Sequence, residues 1–150
     1  MGTGYFTQPS LCADRIVFVC EDDLWEVDSS GGQARRLTNS RSEIKTPYLD
    51  PSGKWIACCA KEEGDPDVYL MSADGGPLTR LTWLNSVTRI VGWTPDGSSI
   101  LFHSIHQAVH HRGSDAWLFN VGVDGGPVQR LPFGPAVSFC LLYTSPSPRD

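Results

Sequence analysis

A Gly-Gly pair followed within a few residues by Arg-Leu occurs three times in this chain, and the residues around it recur too. The pairs are Gly31-Gly32, Gly75-Gly76 and Gly125-Gly126. Each follows a run that opens on Asp and carries an aromatic residue: Asp23-Leu24-Trp25, Asp67-Val68-Tyr69 and Asp115-Ala116-Trp117. Each leads into Arg36-Leu37-Thr38, Arg80-Leu81-Thr82 or Arg130-Leu131-Pro132. A second turn separates the copies, Asp50-Pro51-Ser52-Gly53 and then Thr94-Pro95-Asp96-Gly97. From Gly31 to Gly75 is 44 residues and from Gly75 to Gly125 is 50. That period is the length of a four-stranded propeller blade.

The apolar runs between the turns support this. Lys54-Trp55-Ile56-Ala57-Cys58-Cys59, Arg15-Ile16-Val17-Phe18-Val19-Cys20 and Ser99-Ile100-Leu101-Phe102 are nearly unbroken. A strand with one wet face alternates apolar and polar residues, whereas an unbroken run is buried on both faces. Blades stacked around an axis bury both faces of their middle strands. The Gly-Gly pairs suit tight hairpins that need positive φ. Leu78–Thr82 alternates and is expected as a last strand, with Arg80 outward as a charge against edge-to-edge pairing. No long 3.6-residue apolar period predicts a helix. The expected fold is all-β: an incomplete β-propeller of three four-stranded antiparallel blades (about 5–39, 40–83 and 84–133) plus the start of a fourth at 134–139. Second strands are expected near 15–20, 54–60 and 99–103.

Residues 140–150, Cys-Leu-Leu-Tyr-Thr-Ser-Pro-Ser-Pro-Arg-Asp, break the pattern. All eleven match one reading frame of a transposase-type sequencing-library adapter, so they are set aside as a non-native tail. The natural chain is expected to continue differently beyond Phe139.

Composition removes several function classes. The 12 basic and 17 acidic residues give a net charge of −5, which argues against a nucleic-acid partner. No apolar run reaches the roughly 18 residues of a membrane span, and no secretory signal is visible. The five cysteines (12, 20, 58, 59 and 140) have no zinc spacing. Three of them fall in or at the ends of core strands, which suits a reducing cytoplasm. No metal or other cofactor is expected. His103, His106, His110 and His111 crowd a segment read as a solvated loop joining two strands of the third blade. Glu21-Asp22-Asp23 and Glu62-Glu63-Gly64-Asp65 read as hairpin tips without the pattern of a calcium loop. Asp23, Asp67 and Asp115 recur in every copy, so they read as structural carboxylates that accept backbone N–H bonds near the turn. No G-x-S-x-G elbow is present, and no catalytic residue is assigned.

The repeat resembles the TolB-type propeller repeat and, within it, the N-terminal six-bladed propeller of the tricorn protease family. The resemblance is carried by Asp14 through Trp25, by Val91-Gly92-Trp93-Thr94-Pro95-Asp96-Gly97 and by Gly134-Pro135-Ala136. It implies a large cytoplasmic serine peptidase, homo-oligomeric, that degrades oligopeptides through catalytic domains lying downstream. The propeller would act as a channel and substrate filter. Relatives can carry paired arginines in the connection from the second blade to the third, facing the peptide's C-terminal carboxylate. Arg89, a single Arg preceded by Thr88, is the matching substrate-binding candidate here, since a guanidinium forms two charge-assisted bonds to a carboxylate. The alternatives are a non-enzymatic TolB-like module that binds protein partners, and the propeller lid of a prolyl-oligopeptidase-type hydrolase.

Overall fold

The computed structural model describes residues 5–39, 42–62, 64–106 and 116–133. Among them are twelve strands and no helix. The first sheet contains β1 (Phe6–Cys12), β2 (Arg15–Cys20), β3 (Asp23–Asp28) and β4 (Arg35–Arg36); the second contains β5 (Glu43–Leu49), β6 (Trp55–Lys61), β7 (Asp67–Ser72) and β8 (Thr79–Arg80). The third contains β9 (Thr88–Trp93), β10 (Ser99–Ser104), β11 (Trp117–Gly122) and β12 (Gln129–Arg130). Each sheet is antiparallel with its strands in chain order. The expected second strands are β2, β6 and β10. The proposed start of a fourth blade and residues 140–150 lie outside the described residues.

The faces of β6 show how the blades stack. Ile56 and Cys58 belong to a core shared with Val17, Val19 and Leu24 of the first blade. Their neighbours Ala57 and Cys59 belong to a second core shared with Ile90, Ile100, Phe102 and Phe119 of the third. Side chains alternate across a strand, so a run apolar at every position serves two interfaces. The Gly-Gly pairs have φ from +81° to +133°, a region that L side chains rarely adopt.

The closing strands differ from expectation. Regular pairing in the second blade covers only Thr79–Arg80, because the residues around it turn inward to hold the recurring aspartate. Asp67 Oδ2 accepts from Arg80 Nη2 at 2.5 Å, and Oδ1 accepts from Thr82 Oγ1 at 2.7 Å and from the Leu84 amide at 2.9 Å. Thr82 Oγ1 in turn accepts from the Val68 amide at 3.0 Å. The first blade repeats the clamp with Asp23, Arg36 and Thr38. Arg80 therefore neutralises a buried carboxylate; it is not a free edge charge. The predicted backbone bond to the aspartate exists at Leu84, beside the Arg and Thr partners that the sequence reading left out. In the third blade Pro132 replaces the Thr and Arg130 lies over the Trp117 ring, 3.6 Å from its centroid. Asp115 is outside the described residues.

The second turn is held by a carboxylate in either of two places. Asp50 accepts from the Ser52 hydroxyl at 2.5 Å and from the amides of Ser52, Lys54 and Trp55 at 2.8–3.0 Å. In the next copy Thr94 takes the first position, and its hydroxyl donates at 2.6 Å to Asp96, two residues on. Burial pushes the Asp50 pKa up, but the bonds from Ser52, Trp55 and Lys54 outweigh it and hold the carboxyl below its ordinary 3.8. A depressed folded pKa means this contribution is complete above the unfolded value and is lost as pH falls through the folded one. Asp50→Asn is thus expected to melt lower than the parent at neutral pH. Its melting point then changes less than the parent's as pH drops from about 5 to about 2. Equal acid slopes for the two proteins would refute the assignment.

The first strands are joined to one another. The Leu49 amide donates to Ser10 Oγ at 3.0 Å, and Trp93 Nε1 donates to the Tyr48 carbonyl at 2.9 Å. β1 packs on β5 and β5 on β9, which places the first strands along the inner side of the arc. Each is bulged beside its partner strand.

Candidate functional site

A cleft of about 360 Å³ opens where the inner strands of the second and third blades meet. Lys45 of β5, Lys61 at the end of β6, Arg89 of β9 and His103 of β10 line it, with Glu43 and Asp65 as its acids. Arg89 lies within the innermost strand, not in the connection that precedes it. The strand begins at Thr88 because hydroxyls pin its end: Thr88 Oγ1 donates to the Ser86 carbonyl at 2.8 Å and lies 3.2 Å from the buried Ser104 Oγ. His103 is likewise a strand residue, directly opposite Arg89 in the β9–β10 pairing, and not part of the loop assigned to it. His106 follows the strand, its amide donating to Ser104 Oγ at 3.1 Å; His110 and His111 lie outside the described residues.

The electrostatics favour an anion. Lys45 is paired with Glu43 at 2.5 Å, and the hydrogen bond and charge of that lysine hold the Glu43 carboxyl below its ordinary range. Among the described residues neither Lys61 nor Arg89 forms an ion pair. His103 is pushed below its ordinary 6.5, first by burial and then by Arg89, so it is neutral at pH 7. The floor holds a thiol, Cys59. Burial raises its pKa to about 11, against the lowering effects of the Thr46 hydroxyl, the Ile90 amide and Arg89. A protonated, buried thiol is no nucleophile. The cleft can bind and orient an anionic group, and its described residues contain no general base beside an activated hydroxyl or thiol.

Lys45 and Arg89 are 44 residues apart and precede the bulges of β5 and β9. Aligning the repeats strand by strand is the signal that could have paired them in advance. His103 and Lys61 carry no such signal, since nothing local marks a strand end as cleft wall.

A family model of the tricorn protease N-terminal beta propeller domain matches residues 3–145. The chain belongs to the tricorn N-terminal propeller family. The match runs past Phe139, where the sequence reading ends the native chain. Among relatives of this tricorn propeller, tricorn protease homolog 1 of Streptomyces coelicolor is 33% identical over 132 residues, 87% of this chain and 12% of its own. Putative tricorn protease homolog 2 of the same organism is 37% identical over 140 residues, again 87% and 12%. The crystal structure of the tricorn protease superposes with a TM-score of 0.77 at 27% identity, covering 90% of this chain and 14% of that one. A putative TolB from Agrobacterium tumefaciens shares the fold, with a TM-score of 0.72 at 20% identity over 89% of this chain and 48% of that one. The chain thus spans about one eighth of the length of each of these two Streptomyces relatives.

Proposed function

We propose that this chain is the N-terminal propeller portion of a tricorn-like serine peptidase of the cytoplasm, acting within a homo-oligomer as a channel and filter for oligopeptides. On this reading its inner cleft holds the C-terminal carboxylate of the passing peptide on Arg89. The observation that carries it is an exposed arginine in a cleft that Lys61 also lines, neither forming an ion pair among the described residues. Family membership supports a protease parent, and hydrolysis belongs to residues outside this chain.

The test compares peptides ending in a free carboxylate with the same peptides ending in an amide, on the full-length protein. A charge-assisted hydrogen bond contributes about 1.5–3 kcal/mol, so Arg89→Ala is expected to cut the acid-over-amide preference by roughly ten- to a hundredfold. Arg89→Lys, which keeps the charge without the fork, recovers part of it. An unchanged preference in Arg89→Ala would reject the carboxylate role. Loss of peptide cleavage under a serine-directed inhibitor checks the parent chemistry separately.

A further inference from the structure

We infer that Gln8 and Thr46 are positioning residues for Arg89, latching the bulged inner strands blade to blade so that the guanidinium faces the cleft. The inference rests on the carboxylate reading above. Gln8 has φ +54° and Thr46 φ +49°, and each stands just before a proline, Pro9 or Pro47. A proline disfavours helical backbone in the residue before it, and a β-branched residue in the left-handed region is an outlier. Such conformations persist only where the surroundings over-determine them.

The surroundings here are two bonds in series. The Thr46 amide, released from its own sheet by the bulge, donates to Gln8 Oε1 at 2.5 Å. The Thr46 hydroxyl, one blade on, accepts from the Ile90 amide at 3.4 Å. That amide belongs to the peptide plane joining Arg89 to Ile90, so holding it holds the backbone from which the Arg89 side chain projects toward the cleft. On its other flank Arg89 is set against His103. Gln8 and Thr46 fall at the register shifts of β1 and β5, across from Phe18 and Cys58, and Ile90, which pairs with Phe102, stands at the corresponding place in β9. Ile90 offers no side-chain acceptor to pass on. Within the described residues the series ends on the strand that carries the unpaired cation.

The experiment uses the full-length protein and a fluorescein-labelled tetra-alanine peptide, as free acid and as amide, with affinity read by fluorescence anisotropy. Thr46→Val keeps the branched shape and deletes the acceptor; it is expected to lower the acid-over-amide ratio about fivefold, the scale of one net hydrogen bond. Thr46→Gly, which the left-handed backbone favours, gives the same loss without strain, and Thr46→Ser restores the ratio to within about twofold. A latch that serves only stability would shift the melting point and leave the ratio in folded protein untouched. The inference is overturned if Thr46→Val and Thr46→Gly keep the parent ratio while Arg89→Ala loses it. A ratio that survives Arg89→Ala overturns the carboxylate reading itself, and this inference with it.

Discussion

Asp67→Ala is expected to lower the unfolding free energy by about 3 kcal/mol, the larger of the single-residue effects in the closing clamps. The Asp67 side chain is 2% exposed and takes bonds from Arg80, Thr82 and the Leu84 amide. Removing one partner of a buried pair costs roughly 3–5 kcal/mol because the other is left without compensation. Arg80 is one-third exposed, so water recovers part of its loss and the lower end applies. Thr82→Val keeps the ion pair and removes the relay from the Val68 amide, so it is expected to cost only about 1 kcal/mol. Urea unfolding followed by tryptophan fluorescence measures both. A cost for Asp67→Ala no greater than that for Thr82→Val would show that the ion pair contributes little and that the clamp is a hydroxyl relay alone.

Residues 1–139 in isolation are expected to self-associate, and a longer chain that supplies the remaining blades is not. Propellers close with four to eight blades, and the three described here form an open arc. At its leading blade Phe6 and Leu11 are 65% and 64% exposed, with Phe6 set edge-on over Phe18 at 5.3 Å and beside Ile16 and Val27. Burying a large apolar side chain stabilises by about 1.5–3 kcal/mol. Two left wet therefore forfeit on the order of 3 kcal/mol or more, a sizeable share of the roughly 5–15 kcal/mol that holds a domain together. Apolar surface gathered in one patch is an aggregation liability. Sedimentation is expected to show concentration-dependent association of 1–139 that Phe6→Glu reduces. A soluble monomer whose melting point equals that of the ring-completing chain would refute the argument.

The second of these expectations was legible in the sequence, and the first only in part. The recurring Asp and the recurring Arg-Leu-Thr were both visible, but their pairing was not. The partners stand 13 residues apart, across a hairpin. Their contact depends on how far the closing strand turns in after its two paired residues.

The sequence by itself determined the blade. Its Gly-Gly turns, its runs apolar at every position and its period leave little choice of fold, since turn chemistry and strand periodicity act locally and are read locally. The inner cleft was decided by tertiary structure. Lys45, Lys61, Arg89 and His103 come from four strands of two blades. Their convergence depends on the bulged inner strands, and in β1 and β5 the bulges put Gln8 and Thr46 in a left-handed backbone just before proline, the reverse of what local preference predicts. Contacts between neighbouring blades hold these strands: the Thr46 amide donates to Gln8 Oε1, and the Ile90 amide donates to the Thr46 hydroxyl. No window of sequence contains both partners of such a contact, so local preference names the strands while packing between blades sets where their inner side chains point.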